Sequence, residues 1–195
     1  MSDGVAAWVL DTALAQMEAW QHQGLVLTVS INISARQLQH AGFVADLSER
    51  LAMHPTVPPG NLELEILETS ALADMDKVSC IMRQCRDMGV HFAVDDFGTG
   101  YSSLTYLKRL PAGTLKIDQS FVRDMLVDRD DLAIVQGVIS LATAFQRKVI
   151  AEGVETLEHG VRLLALPYLL WGGEGKRDRV LAGWLGAFFF ASAGM

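Results

Sequence analysis

Val5, Trp8, Val9, Thr12, Ala13, Gln16, Met17 and Trp20 recur at spacings of three and four, which predicts an amphipathic helix over about 4–22, stopped by Gly24. The β-branched run Leu25–Ile33 then predicts a buried strand. The alternation continues down the chain. Helix over about 35–53 leads through the Pro55–Gly60 loop to a strand at Leu62–Leu67. Helix over about 75–88 ends at Gly89 and gives strand His91–Asp95. A short helix at about 102–109 precedes strand Thr114–Asp118, helix at about 130–146 precedes strand Lys148–Gly153, and helix resumes from about Thr156. Five strands each followed by a helix predict an α/β fold with a parallel sheet and helical crossovers. An open doubly wound sheet and a closed eight-stranded barrel both suit this pattern, because both bury strands on two faces. No glycine-rich dinucleotide fingerprint is present, which disfavours the open sheet.

Composition narrows the class without changing this picture. The chain has 195 residues, 50% of them apolar, and a net charge of -7. That is too hydrophobic for disorder and too acidic for broad contact with nucleic-acid backbone, so no nucleic-acid polymer is expected as a partner. Two cysteines, Cys80 and Cys85, supply neither a disulfide framework nor zinc spacing, and on a helix they project in different directions. The N-terminus has no basic region before an apolar run and is not a secretory signal, so the expected location is cytoplasmic. The segment Val180–Met195 is sixteen residues long and carries no charge.

The polar residues decide between the folds. Each strand ends in a group that burial does not explain: Asn32, then Glu65 and Glu68, then Asp95 and Asp96, then Lys116 and Asp118, then Glu152 with Glu155 three residues on. Parallel strands place their C-terminal ends on one edge, which in barrel enzymes is the face of the active site. Carboxylates gathered there repel one another unless a cation neutralises them. Oxygen donors without His or thiolate suit Mg²⁺ or Mn²⁺. The adjacent pair Asp95–Asp96 suits two ions about 3.5–4 Å apart, an arrangement used for in-line phosphoryl displacement. Lys116 adds a cation able to balance a phosphate or orient water. The segment Phe97–Ser103, with Gly98 and Gly100, reads as a mobile loop over the site.

Plainer readings compete at several positions. A single acid after a strand is usually a helix cap or loop residue. Asp118 can begin a turn before Ser120, and Glu155 can be a first-turn helix acid. Lys116 inside an apolar strand is harder to explain so, because lysine is almost never buried unpaired. His22, His40, His54, His91 and His159 lie away from the strand ends and read as structural.

The strings Ser30–Ile31–Asn32–Ile33–Ser34, Leu62–Glu63–Leu64–Glu65–Ile66–Leu67–Glu68, Asp95–Asp96–Phe97–Gly98–Thr99–Gly100–Tyr101–Ser102–Ser103, Leu115–Lys116–Ile117–Asp118 and Ala151–Glu152–Gly153–Val154–Glu155 resemble the EAL-domain family of bacterial cyclic di-GMP phosphodiesterases. The match runs from about Trp8 to Leu166, in order and at family-like spacing. The resemblance implies a (β/α)8 TIM-like barrel holding two Mg²⁺ or Mn²⁺ ions and hydrolysing cyclic di-GMP to linear pGpG. By motif, Asn32, Glu65, Asp95, Asp96 and Glu152 would be metal ligands, with Asp95 bridging, and Lys116 would hold the attacking water. Glu68 and Glu155 would anchor the loop after Asp96, and Arg36 and Gln37 would lie near the substrate.

Two departures shape the expectation. The Glu-Ala-Leu motif that names the family, whose Glu is a metal ligand, belongs to a strand ahead of the first helix here, so the barrel is expected to be incomplete. After Leu166 the pattern breaks, and Gly172 falls about where the family has a Gln. The expected organisation is therefore a partial EAL domain over 1–166 and a divergent apolar tail over 167–195, with a shifted reading frame or fragmentary gene as the explanation. Open sheet edges invite association, and with the family's habit they point to a homodimer. Sixteen uncharged residues fall short of the roughly 20 that span a bilayer, so a membrane anchor is disfavoured. The leading reading is a phosphodiesterase domain of impaired activity. Its rivals are an inactive cyclic di-GMP-binding or protein-interaction module, and proton abstraction with Lys116 as base and Mg²⁺ on Glu65 and Asp95.

Overall fold

The computed structural model describes residues 3–71, 74–100 and 104–166. Tyr101–Ser103 of the predicted loop, and the whole 167–195 tail with Gly172, lie outside the described residues. The described residues of 1–94 and 103–113 form one compact unit, and those of 95–102 and 114–195 a second.

The first unit opens with α1 (Asp3–His22) and β1 (Val29–Asn32). Leu25, Val26 and Leu27 precede β1 as exposed, non-strand chain, so the β-branched run yields a shorter strand than its composition predicts. The single helix expected over 35–53 is two helices, α2 (Ala35–Leu38) and α3 (Phe43–Met53). Gly42, at φ 97°, breaks it in a left-handed conformation that glycine adopts without steric cost. Ser34 and Gln37 form a capping box, in which the Gln37 amide N–H donates to Ser34 Oγ and Gln37 Oε1 accepts from the Ser34 amide at 2.9 Å.

Strand β2 (Leu62–Leu67) follows as predicted and pairs with β1 in parallel, Asn32 lying opposite Glu65. Leu62, Leu64 and Ile66 are fully buried on one face, and Glu63 and Glu65 are buried on the other. A strand covered on both faces is what a parallel sheet requires. Then come α4 (Glu68–Ala71), α5 (Met75–Asp87), the first residues of β3 (His91–Phe97) and α6 (Leu104–Arg109). Val78, Met82 and Cys85 form the buried stripe of α5, whereas Cys80 is exposed. Two polar contacts tie α1 to the α3 end. Arg50 pairs with Asp11, and His54 Nδ1 lies 2.7 Å from Glu18 Oε2.

The second unit contains the end of β3, then β4 (Thr114–Ile117), α7 (Gln119–Asp124), α8 (Arg129–Ala144), β5 (Lys148–Ala151) and α9 (Leu157–Leu164). Helix α7 was not anticipated. It is one and a half turns long, too short to show a period, and its signal is the Asp118 cap. Helix α8 buries Val135, Val138, Ile139 and Ala142, and contacts β4 and β5. Strands β4 and β5 pair in parallel, with Lys116 opposite Ile150. Neighbouring strands follow chain order, β1-β2-β3 in the first unit and β3-β4-β5 in the second. No helix among the described residues is long and apolar enough to cross a membrane.

Candidate metal centre

In the second unit, strand ends bring together Asp95, Asp96, Lys116, Asp118 and Glu152. Lys116 is the hub. It is 8% exposed, and its Nζ lies 2.9 Å from Asp95 Oδ1 and 2.7 Å from Glu152 Oε1. A buried ammonium with two carboxylates is a charge-assisted arrangement that neither sign could sustain alone. The sheet register explains it. Lys116 and Asp95 stand on neighbouring strands, and the Glu152 amide donates to Ile117 O at 3.2 Å, carrying the β4–β5 pairing one residue past Ala151.

Asp95, Asp96 and Glu152 each offer a carboxylate oxygen, and the three oxygens lie within 4.8 Å of one another. Burial first, and then the charges of Asp95, Asp118 and Glu152, push the Asp96 carboxyl up to about 6. Asp118 shows the opposite balance. Burial pushes it up, but hydrogen bonds from the Ser120 hydroxyl and amide, from Asp96 and the charge of Arg123 hold it below the usual range. Below about pH 6 it is Asp96 that takes up the proton and donates it to Asp118. Asp118 caps α7 by accepting the Ser120 amide at 2.8 Å, as the turn reading expects, and its carboxylate also lies against Asp96.

Excess negative charge, oxygen donors and one lysine fit a hard divalent cation. Among the described residues, this trio is the one carboxylate group with the spacing to hold an ion.

The remaining predicted residues are placed as follows. Glu155 is exposed in the loop before Thr156, which caps α9, so it is not a first-turn acid; its charge acts on Arg123. In the first unit, Asn32 is exposed and Glu65 buried on facing positions of β1 and β2. Glu68 opens α4 almost wholly enclosed, at 1% exposure. Arg36 is exposed on α2, and Gln37 is buried in the capping box. Glu63, buried on the same β2 face as Glu65 and accepting from Ser30 Oγ at 3.2 Å, was not singled out from sequence. Its signal is the i, i+2 spacing of two acids within an apolar strand. His159 is structural, its Nε2 lying 3.2 Å from Arg123 O.

Gly153 follows Glu152 at φ 69°, and a Cβ there would come within 2.8 Å of Gln119 Cβ. Gly153→Ala should therefore cost about 1–3 kcal/mol through left-handed strain and overlap. A urea midpoint unchanged from the parent chain would contradict this.

Comparison with known proteins agrees with the geometry. The EAL domain family model matches residues 1–170. The bifunctional diguanylate cyclase/cyclic di-GMP phosphodiesterase MucR of Pseudomonas aeruginosa is 44% identical over 153 residues, covering 78% of this chain and 22% of MucR. The cyclic di-GMP phosphodiesterase NbdA of the same organism is 37% identical over 157 residues, covering 80% of this chain and 20% of NbdA. The chain thus spans about a fifth of the length of either relative. Among solved structures, the PaMucR phosphodiesterase in complex with c-di-GMP superposes with TM-score 0.80 at 42% identity, covering 84% of this chain and 66% of that one. The EAL domain of Mycobacterium smegmatis DcpA gives TM-score 0.75 at 41% identity, covering 80% and 71% respectively. The α/β architecture is accordingly part of an EAL-type barrel, and the chain belongs to the EAL domain family.

Proposed function

We propose that this chain is a metal-dependent cyclic di-GMP phosphodiesterase domain that opens one phosphodiester to give linear pGpG. The observation that carries the reading is the Asp95–Asp96–Glu152 trio, its oxygens within 4.8 Å of one another, with Lys116 Nζ between two of its members. The names of its relatives, cyclic di-GMP phosphodiesterases, support the substrate.

Asp95, Asp96 and Glu152 would hold the metal, and Asn32 and Glu65 would add to the ligand set. Bound Mg²⁺ or Mn²⁺ supplies an acidified water and neutralises charge on the phosphoryl oxygens. Lys116 Nζ, already oriented by two carboxylates, donates to the attacking water and holds its lone pair toward phosphorus. Glu68 and Glu155 anchor the loop after Asp96. Arg36, exposed on α2, pairs with a phosphate or guanine edge of the substrate. Gln37 Nε2 is buried without a hydrogen-bond partner, which supports a substrate contact there. The departure from the family pattern at Gly172 favours low turnover, and a homodimer is the assembly we expect.

The test is incubation of the chain with cyclic di-GMP and Mn²⁺, with product read by chromatography and binding read separately by calorimetry. Metal-dependent pGpG, lost on chelation, supports the reading. Tight binding without product replaces it with a binding module, and neither product nor binding sinks it.

Metal affinity should also depend on pH in a direction the site dictates. Asp96 has its carboxyl raised to about 6 in the metal-free chain, so it must lose a proton to ligate. Mn²⁺ affinity is expected to rise as pH increases through 6 and to level off above about 7. The stability of the metal-free chain runs the other way. A folded-state value above the unfolded one means stability contributed at low pH is lost as pH rises toward 6. Calorimetric titrations between pH 5 and 8 check both signs.

A further inference from the structure

Adjacent residues of an extended strand send their side chains to opposite faces. Asp95 and Asp96 are adjacent in β3, yet their carboxylate oxygens lie within 4.8 Å of each other. The backbone shows how. Asp96 has φ 53° and Gly98 has φ 107°, two left-handed residues either side of Phe97. The turn swings Asp96 back to the side of Asp95.

A left-handed aspartate is uncommon and holds only where its surroundings enforce it. Two contacts do so. The Thr99 hydroxyl donates to Asp96 O at 2.8 Å and the Thr99 amide donates to the same oxygen at 3.3 Å, closing the turn from within. From outside, two side chains of the helical layer occupy the space in front of Gly98 that a side chain there would need. A Cβ at Gly98 would lie 3.1 Å from Phe121 Cε2 and 3.4 Å from Ile134 Cγ2. Phe121 belongs to α7 and Ile134 to α8, and both are only half-buried.

We propose that Phe121 and Ile134 are positioning residues for the paired carboxylates, bracing the Gly98 turn so that Asp95 and Asp96 face the same ion. The proposal rests on the metal reading of the trio. The competing view is that the turn holds itself through Thr99 and that Phe121 merely fills space.

The test uses the full chain in two independent measurements. Hydrogen–deuterium exchange of the metal-free protein follows the 96–100 segment, and calorimetry follows Mn²⁺ binding. Phe121→Ala is expected to speed exchange of 96–100 at least tenfold while exchange of α8 changes less than threefold, and to weaken Mn²⁺ at least tenfold. Phe121→Leu, which keeps an apolar contact, should restore both to within threefold of the parent. Where Phe121→Ala does not fold, Ile134→Ala carries the same comparison. Unchanged exchange over 96–100, or acceleration spread evenly over the second unit, overturns the brace. Absence of Mn²⁺ binding by the parent chain overturns the metal reading instead, and the exchange comparison alone then decides the brace.

Discussion

Asp95→Asn is expected to lower cyclic di-GMP hydrolysis by about 10³-fold or more, equivalent to roughly 4 kcal/mol of transition-state stabilisation. The substitution keeps shape and removes charge. Asp95 is buried on β3 with one oxygen 2.9 Å from Lys116 Nζ, so an amide fills the same space without an anionic donor. A bound hard cation would lose a buried anionic ligand, and Mn²⁺ affinity should fall at least ~100-fold. A second readout separates this from simple misfolding. The charge of Asp95 is the second cause, after burial, of the high Asp96 value, so its loss should bring the Asp96 carboxyl down toward the ordinary range. NMR titration of Asp96 in the metal-free variant reads that directly. Retained hydrolysis with parental Mn²⁺ affinity would remove Asp95 from the site.

Lys116→Met carries the second large effect, and it divides into a stability part and a rate part. Without the ammonium, Asp95 and Glu152 face each other uncompensated in a setting where Lys116 is 8% exposed. Removing one partner of a buried ion pair costs about 3–5 kcal/mol, and the lower end applies because the Glu152 side chain reaches solvent. Added Mn²⁺ replaces the missing positive charge and should restore the unfolding midpoint. Hydrolysis should not return with it, because the donor that orients water is gone, and a loss of about 10²–10³-fold is expected in the loaded variant. Should Lys116→Met hydrolyse as the parent does once Mn²⁺ is present, Lys116 is a counter-ion only.

The candidate site was legible in the sequence because it depends on residue type at strand ends. An acid or amide after each apolar run, with a lysine inside one, marks a cation site wherever the strands run parallel. Strands β2 to β5 sit where alternating apolar runs place them, since burial on two faces leaves a strong local signal. Departures arise where local pattern meets tertiary context. Leu25–Leu27 have strand composition but lie outside β1, because composition does not supply a paired neighbour. The helix predicted through 35–53 breaks at Gly42, where a left-handed turn is cheaper than continuing. Helix α7 is too short to have a period. Gln37, which the family resemblance places near the substrate, is also the closing group of a capping box, a role legible in the Ser-x-x-Gln spacing.

By itself the sequence determined the family, the order of strands and helices, and the identity of the candidate ligands, all of which follow from side-chain chemistry and short-range periodicity. Only the tertiary structure decided that Asp95 and Asp96 act on one side. Period-two alternation sends neighbours apart, and nothing in the letters Asp-Asp-Phe-Gly states the sign of a φ angle. Thr99 closes the turn locally, and Phe121 and Ile134, the brace proposed above, reach it from helices that follow a later strand. The same holds for Lys116, whose two carboxylates come from the strands on either side of it. Local free energy selects the elements, and packing between elements selects the few strained conformations on which a metal site depends.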